Sequence, residues 1–339
     1  MKNLFDLTKE ELAAQIVEQG GKKFNAVQIF NWIYKNRVTS FSVMSNLSKL
    51  LRPRLEAEFE LSFLNILKVQ KSKNEDAVKY LFELADGKKI ESVLMLQPYG
   101  NTLCVSTQVG CAYGCFMCAT GKMGLSRNLL PGEIVGQLLT VEKERGVKVQ
   151  NIVFMGMGEP LANYENLKKS IDIFSDSDGI NINQRRITVS TCGIIPGIKR
   201  LIDDKLRVRL SISLHSTFDK VRDKIVPVNK KYNIAALLNS LKEYCSSTKL
   251  ELTIEYVLIE DMNDDISEVE NLIVLIRKYN LDAKVNIIPV NSVGGLTFRN
   301  EERINLWQKK LENAKIISTV RIERGADILA ACGQLAGEV

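Results

Sequence analysis

Thr102-Leu-Cys104-Val-Ser-Thr-Gln-Val-Gly-Cys111-Ala-Tyr-Gly-Cys115-Phe-Met-Cys118 is an apolar strand that runs straight into three cysteines spaced CxxxCxxC. Three thiolates on one short loop can hold three irons of a cubane and leave the fourth iron open. A ligand-binding cluster needs that open position; a closed electron carrier does not. A structural zinc site is the alternative, and it wants four closed ligands, usually from two CxxC pairs. Cys104 would supply a fourth sulfur, but the spacing is not that of the common zinc modules.

The strand before the loop is the first of a series. Stretches 102–107, 150–155, 186–191, 207–214, 250–258 and 283–289 read as strands. Helical patterns fall at 131–145, 164–175, 194–203, 233–246, 265–279 and 300–313. Strands spaced by amphipathic helices imply parallel βαβ units. Six units are too few to close an eight-fold barrel. An α/β fold is therefore expected, an open, partial (β/α)6 barrel with its site at the C-terminal ends of the strands. A doubly wound open sheet would place the site at strand ends too.

Upstream, residues 8–58 read as helices. Leu12, Ile16 and Val17 share one face, and Val27, Ile29, Phe30, Ile33 and Tyr34 form a second stripe. Thr8, with Glu11 three residues on, reads as a capping box, and Asn25 as a second N-cap. Residues 63–96 change to a β pattern, with strands at Val78–Leu84 and Ile90–Leu96 around an Asp86-Gly87 turn. The expected organisation is a helical accessory domain over 1–60, a β extension over 61–96, and a core over 97–339.

Hydrophobic content of 45% and charged content of 25% are those of an ordinary globular chain. No run approaches the roughly 18–20 uncharged apolar residues of a membrane span. Met1 to Asp6 lack the apolar run of a secretory signal. A cytoplasmic protein without membrane contact is expected. Seven cysteines are an odd number, and four of them crowd into residues 104–118, which in a reducing compartment reads as metal ligation or thiol chemistry. A formal charge of +6 is weak evidence for nucleic acid. The basic pairs Lys88/Lys89, Arg185/Arg186, Lys199/Arg200 and Lys230/Lys231 read singly as solvated faces.

Other strand ends carry polar groups. Met155-Gly-Met-Gly158-Glu159-Pro160 follows the strand at 151–154; its glycines suit close backbone approach, and Glu159 can hold an ammonium group. Ser190, the run Ser213-Leu214-His215, and Asn291 close three further strands. Each could be a simple helix N-cap; together they ring the expected barrel mouth. His215 is the only histidine, which excludes chemistry built on a histidine pair. At the C-terminus, Arg324-Gly-Ala-Asp327-Ile-Leu-Ala-Ala-Cys332-Gly-Gln-Leu-Ala-Gly337 sets a cysteine among small residues, where it is sterically accessible.

The CxxxCxxC loop, followed one βα unit later by Gly158-Glu159, resembles the radical S-adenosylmethionine (SAM) superfamily. Met117 stands where that pattern has an aromatic residue, with Phe116 one place earlier, and methionine can fill the same apolar space. With Cys104 and Ala-Ala-Cys332-Gly-Gln-Leu included, nearly the whole chain resembles the dual-specificity RNA methyltransferases of that superfamily.

The resemblance implies a [4Fe–4S] cluster on Cys111, Cys115 and Cys118, with SAM bound by Gly158, Glu159, Ser190, Ser213, Leu214, His215 and Asn291. It also implies two SAM molecules per turnover. Cys332 takes a methyl group from one. The second is cleaved to a radical that removes hydrogen from that methyl, and the resulting methylene adds to an adenine carbon. Glu91 matches the family's proton acceptor, and Cys104 the thiol that attacks Cys332, leaving a disulfide as RNA is released. On its own Glu91 would read as an exposed strand carboxylate, while Cys192 and Cys245 match no catalytic position. The implied partners are 23S rRNA before full ribosome assembly, tRNA, and an electron donor such as flavodoxin or ferredoxin, with the enzyme a monomer. Lys68, Lys71, Lys73 and Lys79 are candidates for gripping RNA phosphates. Gly158-Glu159-Pro160-Leu161 and Arg324-Gly-x-Asp327-Ile are like the branch that methylates adenine C2; the antibiotic-resistance branch methylates C8. A radical SAM enzyme acting on a small molecule or peptide would have no reason to carry Cys104 and Cys332 together. A zinc-stabilised RNA-binding module is the non-enzymatic rival, separable by iron and sulfide analysis.

Overall fold

The computed structural model describes residues 1–290, 300–321 and 325–336. Asn291 and Arg324, both named above, lie outside the described residues. A short parallel ladder joins β1 (Lys2–Asn3) to β2 (Phe59–Glu60) and closes the N-terminal helical region on itself. Helices Lys9–Glu18, Phe24–Phe30 and Leu51–Glu58 make up that region, the second running on as a π-helical turn over Asn31–Lys35. Thr8 and Glu11 form the expected reciprocal capping box, a feature that contributes about 1 kcal/mol. Two expectations fail here. Lys23, not Asn25, precedes the second helix, and the Asn25 side chain accepts the Lys22 N–H from within the first turn. Leu12 and Ile16 are buried while Val17 is 47% exposed, because the helix shows the core only a narrow stripe.

The rest of the chain is organised by one ten-stranded sheet. Its strands are β3 (Asn65–Lys71), β4 (Ala77–Glu83), β5 (Lys89–Met95), β6 (Thr102–Cys104), β9 (Asn151–Phe154), β10 (Ile187–Thr191), β11 (Arg209–Ser213), β12 (Leu252–Leu258), β13 (Ala283–Pro289) and β14 (Ser318–Val320). The order is β14-β13-β12-β11-β10-β9-β6-β5-β4-β3. From β6 to β14 every pairing is parallel, and helices Pro131–Arg145, Tyr164–Ser175, Ile195–Asp203, Ile234–Thr248, Ile266–Lys278 and Glu301–Asn313 lie where the periodicity places them. β14 adds a seventh parallel strand to the six expected. The β extension has three strands, not two, and β5 pairs antiparallel with β6, so it continues the barrel wall.

Between β6 and β9 a separate antiparallel pair, β7 (Gln108–Gly110) with β8 (Leu125–Asn128), brackets the cysteine loop at its base. Polar ties fasten the helical region to the core: Lys9 lies 2.9 Å from Asp176 and 2.8 Å from Asp178, and Asp6 accepts the Gly132 N–H at 2.7 Å. Among the described residues no helix is long and apolar enough to cross a membrane.

Candidate active site

The C-terminal strand ends meet in one cavity. Cys111, Cys115, Cys118, Gly158, Glu159, Ser190, Ser213, His215 and Cys332 all line it. Chain segments far apart in sequence thus converge as the motifs imply. Leu214 does not line this cavity; its side chain is buried, and its carbonyl accepts the Arg222 guanidinium.

The cysteine loop is held from three sides. Cys111 N–H donates to Gly124 O at 3.0 Å, Phe116 N–H to Ile225 O at 2.9 Å, and Ala119 N–H to Gly333 O at 2.7 Å. The last bond brings the Cys332 segment against the loop. Met117 is buried while Phe116 is 40% exposed, so methionine occupies the apolar space that the altered order of residues leaves. Burial pushes the Cys111 thiol up to about 11 and raises Cys115 and Cys118 as well, with neighbouring thiols adding to the effect at all three. Grouped, desolvated thiols of this kind lose their protons when iron binds, so metal loading and thiolate formation are one event. Among the described residues no three ligand side chains close around a single ion. A cluster makes no such demand, because its cysteines bind different irons. The donor set therefore fits a cubane.

Glu159 is fixed by backbone N–H groups of two strand ends. Its carboxylate accepts Leu161 N–H at 3.1 Å and Cys192 N–H at 2.8 Å; burial raises its pKa and the Cys192 N–H pulls it back. The glycines beside it serve protein packing, not only ligand approach. A Cβ on Gly156 would stand 2.7 Å from the Val105 carbonyl, and one on Gly158, whose φ is +100°, would stand 2.5 Å from Gln108 Cβ. The 105–108 and 156–159 segments lie backbone to backbone, fastened by Thr107 N–H to Met157 O at 2.8 Å.

His215 is buried with a left-handed backbone at φ +56°. Its Nδ1 accepts Val257 N–H at 3.0 Å, which leaves the proton of the neutral ring on Nε2. Burial, with the Arg222 charge second, holds its pKa down to about 3. Unfolded, the ring titrates near 6.5. Below that pH the unfolded chain binds a proton that the folded one refuses, so His215 costs stability as pH falls toward 3, about 2 kcal/mol by pH 5. His215→Asn keeps an acceptor for Val257 and tolerates the left-handed backbone. Urea melts of both proteins at pH 7.5 and 5 should show the wild type losing about 2 kcal/mol more than the variant on acidification. Equal losses would contradict the assignment.

Several site residues are not legible in the sequence. Arg222 is fully buried and donates to Leu214 O, Ser213 O, Cys192 O and Asn229 Oδ1, tying two strand ends together. Cys192, which matches no catalytic position, lines the cavity beside the cluster cysteines. A second cavity adjoins the first at Met155, Glu255, Ile288, Arg321 and Cys332, and Cys104 faces it. Burial, and secondarily Cys332, push the Cys104 thiol up to about 12, against the pull of Arg321. Arg321 is hydrogen-bonded to Cys332 and lies 3.9 Å from Glu255, whose oxygens accept Ser211 Oγ–H and Asn286 Nδ2–H at 2.8 Å. All seven cysteines are free thiols.

Glu91 is buried, not exposed. Ala336 N–H donates to its Oε2 at 2.8 Å, and Lys79 Nζ stands 3.0 Å from its Oε1. Lys79 is therefore unable to grip RNA phosphates, whereas Lys68, Lys71 and Lys73 are exposed.

Comparison with known proteins identifies the family. Residues 2–61 match the ribosomal RNA large subunit methyltransferase N-terminal domain, and residues 105–275 the radical SAM superfamily. A probable dual-specificity RNA methyltransferase RlmN from Thermotoga neapolitana is 46% identical, over 99% of this chain and 97% of its own length. Its counterpart from Clostridium botulinum is 45% identical over 99% and 96%. The crystal structure of a radical SAM methyltransferase from Sphaerobacter thermophilus, 40% identical, superposes over the full length of both chains with a TM-score of 0.94. The chain belongs to the RlmN family of radical SAM RNA methyltransferases.

Proposed function

We propose that the enzyme methylates C2 of an adenine in 23S rRNA and of the adenine beside the tRNA anticodon, consuming two SAM molecules per turnover. The observation that carries this reading is the position of Cys332, which lines both cavities: the one with Cys111, Cys115, Cys118 and Glu159, and the one with Cys104. A methyl carrier must meet the methyl donor on one side and the substrate base on the other. Cys111, Cys115 and Cys118 would hold a [4Fe–4S] cluster, which would supply one-electron reduction of SAM.

The chain's own groups do the rest. Glu159 and the Gly156–Gly158 backbone receive the amino end of SAM, while His215 Nε2–H, Ser190 and Ser213 supply hydrogen bonds to its polar groups; Asn291 joins this set. Cys332 Sγ takes a methyl group from one SAM; once the radical from the second SAM has removed a hydrogen atom from that methyl, the carbon bonds to the base, and the adduct would give back one electron to the cluster and lose one proton. Glu91 accepts the proton leaving the base. Cys104 Sγ then attacks Cys332 Sγ: a sulfur–sulfur bond forms, the sulfur–carbon bond breaks, and its electron pair stays on carbon, which gains a proton to become the new methyl group. The resulting disulfide needs a thiol reductant before the next cycle. A flavodoxin or ferredoxin as electron donor, a monomeric cytoplasmic enzyme, and RNA reached before the ribosome is assembled complete the reading. Flipping or unstacking brings the adenine within reach. C2 is favoured over C8 by Gly158-Glu159-Pro160-Leu161, in which Pro160 is buried at the start of the turn that Glu159 caps.

Nucleoside mass spectrometry tests the reading. Unmodified 23S rRNA fragments and tRNA are incubated anaerobically with reconstituted enzyme, SAM and a reductant. 2-Methyladenosine from both RNAs is expected. 8-Methyladenosine would move the enzyme to the resistance branch, and no methyladenosine alongside normal SAM cleavage would overturn the substrate assignment.

A further inference from the structure

Lys79 is among the least expected residues of the barrel wall. It lies on β4, where the register Leu81↔Glu91 and Lys79↔Val93 sets Lys79, Leu81, Glu91 and Val93 on one face of the sheet. Val93 lines the larger cavity and pairs with Cys104, so this face looks into the barrel. The Lys79 and Glu91 side chains are only 5% and 1% exposed, with Nζ 3.0 Å from Oε1. A buried ion pair of this kind adds little to stability, since apolar residues of the same volume would serve as well or better. A lysine on an inward strand position therefore points to a use for its charge.

The two oxygens of Glu91 have partners of different kinds. Lys79, at Oε1, belongs to β4, paired on both sides by β3 and β5. At Oε2 the donor is Ala336 N–H, four residues beyond Cys332, on a tail also held by Thr120 Oγ–H donating to Leu335 O at 2.5 Å. The Glu91 backbone is fixed as well, because its carbonyl accepts Ser106 Oγ–H at 2.6 Å. The carboxylate thus has one partner on the barrel wall and one on the segment that carries the methyl acceptor.

We propose that Lys79 is a positioning residue for RNA release: it holds the Glu91 carboxylate in place from the barrel wall, so that Oε2 accepts the substrate proton once Ala336 withdraws. Lys79 exchanges no proton with the base. The inference rests on Glu91 acting as the proton acceptor proposed above, and the experiment separates the two.

Wild type, Lys79→Met, Lys79→Gln, Lys79→Arg and Glu91→Gln are each reconstituted and given SAM, reductant and an rRNA fragment. Three quantities are read: methyl on Cys332 by peptide mass, covalent protein–RNA adduct on denaturing gels, and released methyladenosine. Lys79→Met and Lys79→Gln should load Cys332 normally, accumulate adduct and release product roughly 10- to 100-fold more slowly, no more than the smallest effect of losing a general base outright. Lys79→Arg should restore most of the release. A merely structural lysine would depress methyl loading and release together and leave no adduct. Lys79→Gln keeps a donor without the charge and decides the matter where Lys79→Met does not fold. Release at the wild-type rate from Lys79→Gln, with Glu91→Gln trapping adduct, overturns the role of Lys79 alone. Normal release from Glu91→Gln overturns the Glu91 assignment and this inference with it.

Discussion

Cys104→Ala should leave RNA covalently fixed to the enzyme through Cys332, with multiple turnover reduced roughly a thousandfold or more, as expected when a group that acts in bond breaking is removed. Two thiols face the larger cavity among its described lining residues, Cys104 and Cys332. Cys192, another thiol near the centre, lines the smaller cavity on the cluster side and is held there with its carbonyl accepting from Arg222. No other thiol of the larger cavity stands in for Cys104. The wild-type thiol is handicapped by burial, which pushes it up to about 12, and the Arg321 charge is what pulls it back. Alanine removes the nucleophile while leaving the SAM-facing wall intact, so methyl loading of Cys332 proceeds and only release stops. Labelled RNA on denaturing gels, followed by peptide mass mapping, identifies the adduct, and Cys104→Ala/Cys332→Ala should show none. A Cys104→Ala enzyme that turns over freely would eliminate the two-thiol scheme.

What can be read in the sequence follows a physical boundary. Strands β9 to β13 and their helices are legible because buried parallel strands are nearly continuous apolar runs and the helices are amphipathic. β14 is not, since three residues with one exposed carry no period. β3 escapes for a related reason: it is the sheet edge, with Asn65, Leu67, Lys68, Val69 and Lys71 all exposed, so apolar and polar residues do not sort to two faces. The cluster cysteines and Glu159 are legible because their chemistry lies in local spacing. The cations Arg222, Arg321 and Lys79 are not. A charged side chain reads as solvated, and nothing local distinguishes one that long-range packing has drawn inside. Lys79 shows the cost of that rule: by composition it groups with the exposed lysines, yet it stands 3.0 Å from Glu91 inside the barrel. Gly156 and Gly158 show the converse: the residue type announces a close approach, but the partner is the 105–108 backbone, visible only after folding.

Gly110→Ala should cost the enzyme its cluster, although Gly110 is neither a ligand nor in either cavity lining. The residue ends β7 with φ +75°, and a Cβ there would fall 1.9 Å from Gly124 O. That oxygen accepts the Cys111 N–H at 3.0 Å. Alanine cannot enter without displacing the carbonyl, and displacing the carbonyl frees the first cysteine of the loop. The left-handed backbone costs an L-residue about 1–2 kcal/mol, and overpacking typically adds about 1–3 kcal/mol. A total near 2–5 kcal/mol is enough to shift the loop or to loosen the β7–β8 pair beneath it. Gly114 supplies the comparison within the same loop: its φ is +59°, but a Cβ there would meet nothing within 4 Å, so Gly114→Ala carries the backbone cost alone. Iron and sulfide content after anaerobic reconstitution, measured with thermal melts of both variants, should show Gly110→Ala nearly devoid of cluster and Gly114→Ala close to wild type. Equal iron in the two would mean that Cys111 does not depend on the Gly124 carbonyl. In that case the β7–β8 pair is a bystander, and the loop is set instead by its bonds to Ile225 and Gly333.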